Sequence, residues 1–204
     1  MTTERDMLNL LAQRYTQHRQ GAIADRWVRA EHVKSTQGYY GLNKRIADFI
    51  AIDKYSSTQA IHGHEVKVSR SDWLTELRDA RKSEAIKRFC TYWWLVVPEA
   101  SIVKPGELPE GWGLIAQTKT GLRAKVKAPP LHPEPLTLDF VAGLASAVHR
   151  TACREPKHHD ARSVYLGNWV KSCGSCGEPA PCALHQPRAT QVATEQMIPE
   201  EVTA

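Results

Sequence analysis

Two side chains of opposite charge lie two residues apart in the segment "IHGHEVKVSRSDW", at Glu65 and Lys67. Side chains alternate between the two faces of a strand, so Glu65 and Lys67 would share a face. The preceding apolar segment, "IADFIAI", carries one further carboxylate, Asp48. Both segments have the length and the β-branched residues typical of strands. They therefore predict two strands that carry two acids and one lysine.

An antiparallel pair of these strands would bring the two acids together. A register that places Ile52 opposite Ile61 also places Asp48 opposite Glu65. Like charges opposite each other destabilise a sheet, which favours a divalent cation between them. Asp48, Glu65 and the Val66 carbonyl would bind Mg²⁺ or Mn²⁺, and the ion could also hold a phosphate oxygen.

Lys67 would stabilise negative charge that develops on such a phosphate and would orient an attacking water. This is the chemistry of metal-assisted phosphodiester hydrolysis. An acid followed two residues later by a lysine is also common on solvated strand edges, so the pair alone does not decide between the two interpretations. Asp48 within an apolar strand, and the continuation "SRSDW" into a helix start, favour the catalytic one.

Helices and further strands must position these residues. A capping-box spacing from Thr3 to Asp6 predicts a first helix that ends near Gly21, and "RWVRAEHVKS" is expected to be a connecting segment. A second helix is expected to begin near Ser71 or Asp72. Its predicted inward residues are Trp73, Leu74, Leu77 and Ala80.

The second half of the predicted core contains three more strands and a final helix. The strand "TYWWLVVPE" is followed by "WGLIAQT" and "GLRAKVKA", which predict a hairpin that turns around Lys119 to Gly121. The segment "LTLDFVAGLASAVHR" predicts the final helix. Trp93 and Trp94 are expected in the core with Cys90. His62 and His64 would lie on the face opposite Glu65, in packing or surface roles.

At these residues the sequence resembles the PD-(D/E)XK nuclease superfamily, whose pattern is an acid on one strand and Glu-x-Lys on the next. "RIADFIAI" and "HEVKVSRSDW" match this pattern, although Ala47 rather than proline precedes Asp48. The resemblance narrows to MmcB-like DNA repair proteins and related phage and actinobacterial proteins. It does so through "EVKVSRSDWLTELRDARKSEA", "CTYWWLVVPE" and "LPEGWGLIAQ", and it covers roughly residues 27–135.

The resemblance implies an α/β, restriction-endonuclease-like core, in which a mixed central sheet is flanked by helices. It also implies a metal-dependent nuclease site on Asp48, Glu65 and Lys67. The superfamily often adds an acid from the element before the first core strand, and Glu31 is the best-placed candidate. Asp72 is instead expected to cap a helix. Because a fold does not determine an activity, the alternative is a catalytically silent DNA-binding or adaptor protein.

Basic residues favour an anionic partner such as DNA. The chain has a net charge of +5 and a pI near 9.0. "TKTGLRAKVKA" contains Lys119, Arg123, Lys125 and Lys127 without an intervening acid, and the last three would form one outward row on a strand. Such a row can contact phosphates. Lysines on an edge strand that prevent aggregation are the alternative explanation.

The segment "SCGSCGEPAPCALHQ" contains Cys173, Cys176, Cys182 and His185 in the spacing C-x2-C-x5-C-x2-H. Two closely spaced ligand pairs predict a tetrahedral, structural Zn²⁺ site. Three other residues could replace His185: Cys153, His158 and His159. An unpaired or oxidised cluster is the alternative. A small zinc-binding motif of this kind would contact DNA or dock a protein partner.

Composition divides the chain into three parts. Residues 1–153 are predicted to form the core domain, residues 154–188 a linker with the zinc motif, and residues 189–204 a disordered tail. Apolar residues make up 42% and charged residues 24%, as in globular proteins. No apolar run approaches the roughly 18 residues of a membrane span, and the amino terminus does not resemble a secretory signal. A cytoplasmic protein is therefore expected.

Overall fold

The computed structural model describes residues 2–17, 25–35 and 45–154. The chain divides into two units, residues 1–154 and residues 155–204, and the described residues all belong to the first. Among the described residues, no helix is both long and apolar enough to cross a membrane. The predicted tail and the predicted linker beyond Arg154 lie outside the described residues. The same is true of the zinc candidates Cys173, Cys176, Cys182, His185, His158 and His159. Of Cys153, only the backbone is described.

Six strands form one mixed sheet in the order of the chain. They are β1 (Trp27–Lys34), β2 (Ile46–Asp53), β3 (Ala60–Val66), β4 (Tyr92–Val97), β5 (Trp112–Thr118) and β6 (Gly121–Val126). Strands β1, β2 and β3 are antiparallel neighbours. Strands β3, β4 and β5 are parallel, and β6 is antiparallel to β5.

Helices cover both faces of the sheet. They are α1 (Glu4–Arg14), α2 (Arg70–Leu77), α3 (Glu84–Lys87) and α4 (Leu138–Arg154), with 3-10 turns at Ala80–Ser83 and Ala100–Ile102. Helix α1 packs Met7, Leu8 and Leu11 on one face. The opposite face is covered by Trp73 of α2, Ile86 of α3 and residues of α4. The predicted mixed α/β sheet with flanking helices is therefore confirmed.

The segment expected to connect the first helix to the sheet is instead the edge strand β1. Its two buried charged residues, Arg29 and Glu31, are paired. Arg29 Nη1 lies 2.6 Å from Asp25 Oδ2, and Glu31 accepts from Arg5 Nη1 at 2.8 Å. Both partners, Asp25 and Arg5, lie outside the strand. The residues of the segment considered alone are therefore too polar to predict a strand.

Helix α1 has the predicted capping box between Thr3 and Asp6, but it ends at Arg14 and not near Gly21. The Arg29 side chain explains the early end. Its Nη1 donates to the Tyr15 carbonyl at 2.9 Å, which would otherwise accept a bond from the next helical turn. A buried side chain of the sheet thus ends the helix.

Helix α2 begins one residue earlier than expected, and Ser69 caps it. The Ser69 hydroxyl accepts from the Asp72 amide at 3.2 Å, so Asp72 lies in the first turn and is not the cap. Trp73 is buried as predicted, and Leu77 is partly buried. Leu74 is 41% exposed, because an eight-residue helix anchored by Trp73 turns that side chain to solvent.

Candidate metal-binding and catalytic site

The predicted register of β2 and β3 is confirmed, with Ile52 opposite Ile61. Regular pairing ends at Phe49, so Asp48 is the first residue of β2 beyond it. At this point the Asp48 side chain replaces a backbone carbonyl of β2 as hydrogen-bond acceptor, because its Oδ2 accepts from the Val66 amide at 2.7 Å. Asp48 and Glu65 are therefore brought together at the point where β2 and β3 separate. Whether the Val66 carbonyl is a ligand remains a prediction.

Lys67 is held between two carboxylates. Its Nζ lies 2.6 Å from Glu65 Oε1 and 3.2 Å from Glu76 Oε2 on α2. The Lys67 amide also donates to the Val96 carbonyl at 3.0 Å, which fixes the backbone beside β4. Glu76 was not predicted. A usable signal was present, because Glu76 lies three residues after the buried Trp73 and shares its side of α2.

The environment of Asp48 and Glu65 disfavours the ionised form of both carboxyl groups. Burial, followed by the charge of Asp48, raises the pKa of Glu65 to about 8. Burial also raises the pKa of Asp48 to about 6, against the opposing effects of the Val66 amide and Lys67. Burial alone would lower the pKa of Lys67, but Glu65 and Glu76 raise it above its usual value. The site therefore favours a proton or a cation on its carboxylates.

Two residues that the sequence did not suggest lie next to Asp48. One ligating atom each from Glu4, His32 and Asp48 lie within 4.8 Å of one another. They come from α1, β1 and β2, so only the folded chain brings them together. His32 has a positive φ of 50°, unusual for a residue with a side chain. Carboxylate oxygens and an imidazole nitrogen form a donor set that Mn²⁺ or another divalent metal accepts.

Glu31, the predicted additional acid, is 4% exposed. Both of its carboxylate oxygens accept from Arg5 Nη1 at 2.8 Å. In the sheet, Glu31 lies opposite Phe49 and thus next to the position of Asp48. Its described side-chain partner is an arginine, and its role as a metal ligand stays a prediction.

The basic residues of β6 and its hairpin are exposed at Lys119, Arg123, Lys125 and Lys127. They do not form the predicted regular row. Ala124 pairs with Ile115, whereas Val126 pairs with Leu114, which leaves Lys125 as an extra residue in the strand. This bulge interrupts the alternation of faces between Arg123 and Lys127.

The aromatic and histidine residues have the packing roles that were expected. Trp93 and Trp94 are buried, and so is Cys90. His64 is fully buried: its Nε2 accepts from the Tyr15 hydroxyl at 2.9 Å and its Nδ1 donates to the Phe49 carbonyl at 3.2 Å. Burial lowers the pKa of His62 to about 4, and that of His64 is lowered as well. Both rings are thus neutral packing groups at neutral pH.

Comparison with known proteins adds little to this geometry. No family model matches the chain. No curated protein matches it either. Among solved structures, the chain is similar to the SPO1766 protein of unknown function from Silicibacter pomeroyi, with 18% identity over 70% of this chain and 82% of that chain and a TM-score of 0.43. A likeness of this size does not identify a function.

Proposed function

We propose that the chain is a divalent-metal-dependent nuclease that hydrolyses phosphodiester bonds in DNA. The observation that carries this proposal is the convergence of Asp48, Glu65 and Lys67 where β2 and β3 separate. Two carboxylates with raised pKa values repel each other when both are ionised. A hard divalent cation bound by them would remove that repulsion and could also bind water and a phosphate oxygen.

Each residue then has a role. Asp48 and Glu65 would hold Mg²⁺ or Mn²⁺, with the Val66 carbonyl as a further candidate ligand, and Glu4 and His32 lie close to Asp48. The bound ion would activate a water and neutralise charge on the phosphate. Lys67 stabilises the negative charge that develops during attack. Glu76 keeps the Lys67 ammonium in place when Glu65 turns to the metal.

The choice of DNA as the substrate is based on charge and on the resemblance to DNA repair nucleases. The exposed Lys119, Arg123, Lys125 and Lys127 supply positive charge, which suits contact with the phosphate backbone. We therefore place the activity in DNA repair or processing. The zinc motif would add a contact with DNA or with a protein partner.

A catalytically silent DNA-binding or adaptor protein is the second candidate function. The observation that favours it is the double ion pair of Lys67, which leaves the ammonium engaged by Glu65 and Glu76. In such a protein the carboxylates and the lysine would form a structural network. The zinc motif would then recruit the partner.

Metal-dependent cleavage distinguishes the two candidates. Wild-type protein is incubated with supercoiled, linear, single-stranded and branched DNA in Mg²⁺, in Mn²⁺ and in EDTA. We expect cleavage in either metal, and its loss in Asp48→Asn, Glu65→Gln and Lys67→Ala with the circular dichroism spectrum unchanged. Glu110→Gln, at an exposed position remote from these residues in the chain, is the matched control. Wild-type rates in all three variants would show that the site is assigned wrongly, and DNA binding without any cleavage would favour the adaptor.

A further inference from the structure

Asp48 has a residue that can bind a metal on each side of it in the sheet. Continuing the register of β1 and β2 places His32 opposite Asp48, and continuing that of β2 and β3 places Glu65 opposite it on the other side. Glu4 of α1 joins the His32 side. One ligating atom each from Glu4, His32 and Asp48 lie within 4.8 Å of one another, in a group that does not include Glu65.

The spacing and exposure of these three side chains suit a single ion. Metal bonds to carboxylate oxygen and imidazole nitrogen are about 2.1 Å long, so two donors on opposite sides of one ion are about 4.2 Å apart. The three ligating atoms are therefore already close to the spacing that one ion requires. Glu4 is exposed, whereas His32 and Asp48 are partly exposed, so an ion can reach them from solvent.

The donors of this group are not used by other contacts. Within residues 2–17, 25–35 and 45–154, neither the Glu4 carboxylate nor the His32 ring makes a hydrogen bond or an ion pair. Asp48 Oδ2 accepts from the Val66 amide. Because a carboxylate offers about four acceptor positions, this bond leaves capacity for a metal.

The charge of the group favours a cation. Two ionised carboxylates, Glu4 and Asp48, outnumber the single imidazole, so the group stays negative whether or not the imidazole is protonated. The neighbouring cations contact other acids. Arg5 donates to both carboxylate oxygens of Glu31, and Lys67 lies between the carboxylates of β3 and α2.

We propose that Glu4, His32 and Asp48 form a second metal site, which selects a first-row transition-metal dication such as Mn²⁺ over Mg²⁺ and Ca²⁺. The imidazole nitrogen sets this preference, because Mg²⁺ and Ca²⁺ take oxygen ligands whereas transition metals also accept nitrogen. Asp48 is shared with the proposed site of Asp48 and Glu65. The inference concerns metal binding alone and does not depend on the proposed nuclease function.

Electron paramagnetic resonance of Mn²⁺ added to the full chain tests the nitrogen ligand directly. Mn²⁺ is a suitable probe because the thiolates of the C-terminal cysteines prefer softer ions such as Zn²⁺. Pulsed spectra should show coupling of Mn²⁺ to an imidazole nitrogen in the wild type and in Glu65→Gln, which disables the neighbouring site. His32→Asn should lose this coupling with its circular dichroism unchanged, since asparagine also tolerates a positive φ. The exposed His132→Ala is the matched control and should keep the coupling.

Displacement of bound Mn²⁺ by Mg²⁺, measured in the Glu65→Gln background, tests the selectivity. His32→Asp replaces the nitrogen with a hard oxygen donor, so about tenfold less Mg²⁺ should displace the Mn²⁺. Glu4→Gln should weaken Mn²⁺ binding about tenfold but keep the nitrogen coupling, because it removes a charged ligand and leaves the imidazole. Glu110→Gln, at an exposed position, is the matched control and should change neither.

Three results would overturn the second metal site: no nitrogen coupling in the wild type, coupling that persists in His32→Asn, or equal displacement by Mg²⁺ with and without His32→Asp. Cleavage of DNA in Mg²⁺ without nitrogen-bound Mn²⁺ would refute this inference and leave the proposed nuclease standing. Nitrogen-bound Mn²⁺ in a protein that cuts no DNA would support the site and count against the nuclease.

Discussion

The Glu65→Gln variant should be more stable than the wild type when no metal is bound. Glu65 is 9% exposed and lies with Asp48 where β2 and β3 separate. Its ionised form loses hydration on burial and is repelled by Asp48, so its pKa rises from 4.5 to about 8. Glutamine keeps the shape and removes the charge.

The magnitude follows from the pKa. At 1.36 kcal/mol per unit, the rise corresponds to about 5 kcal/mol against the ionised native state. This figure already includes the attraction of Lys67. Relaxation and water penetration reduce the cost of a buried charge further, so we expect a net gain of about 2 kcal/mol in the variant. Because the native state holds a proton that the unfolded chain releases, wild-type stability falls as the pH rises from 4.5 towards 8.

Thermal unfolding in EDTA at pH 4.5 and pH 8 measures the effect. The two proteins should have similar Tm values at pH 4.5, and the variant should unfold about 4–8 °C higher at pH 8. Glu110→Gln, an exposed position, should show no such difference. A Tm difference that is the same at both pH values, or a variant that is less stable at pH 8, would refute the reasoning.

Three further predictions concern the metal, DNA and zinc. At pH 7 the pKa values of about 6 and 8 leave about one proton bound to the Asp48 and Glu65 carboxylates. Metal binding should therefore release about one proton. Calorimetry in buffers of different ionisation enthalpy measures the number of protons released. Arg123→Ala, Lys125→Ala and Lys127→Ala combined should reduce the slope of log affinity against log salt by about 3, whereas an unchanged slope would favour a role against edge aggregation. Purified protein should carry about one zinc, lost in Cys173→Ser with Cys176→Ser, and a chain that ends near Arg154 should stay folded and keep its cleavage. A truncated chain that unfolds would contradict that separation.

The central strands and their register were predictable because their chemistry is local. Strands β2 and β3 consist mainly of apolar residues. One register places Ile52 opposite Ile61, and it puts Asp48 and Glu65 at the same end of the strand pair. Strand periodicity predicted that Glu65 and Lys67 would share a face and that Asp48 would lie at the same end of the strand pair, although Lys67 comes one residue after β3. The capping box of α1 is equally local, since its hydrogen bonds connect residues three apart.

What the sequence did not indicate depends on contacts between distant residues. The buried charges of β1 are paired by residues of the α1 region: Arg5 pairs with Glu31, 26 residues away, and the Tyr15 carbonyl, 14 residues away, accepts from Arg29. Glu4 and His32 approach Asp48 only when α1 and β1 have packed. The bulge at Lys125 reflects the fit of β6 to β5 and has no signal in the alternating "GLRAKVKA".

The point where β2 and β3 separate also explains why Asp48→Asn tests charge better than Asp48→Ala. The Val66 amide faces away from β4 and, beyond the paired part of β2, finds its acceptor in the Asp48 carboxylate. An asparagine carbonyl can accept that bond, whereas alanine leaves a buried N–H unpaired at a cost of roughly 1–3 kcal/mol. Asp48→Asn should therefore lose metal binding and cleavage at a Tm equal to or above that of the wild type, since it also removes a buried charge, and Asp48→Ala should be less stable than Asp48→Asn. An asparagine variant that unfolds like the alanine variant would show that Asp48 serves the fold through its charge, and loss of cleavage there would then say nothing about catalysis.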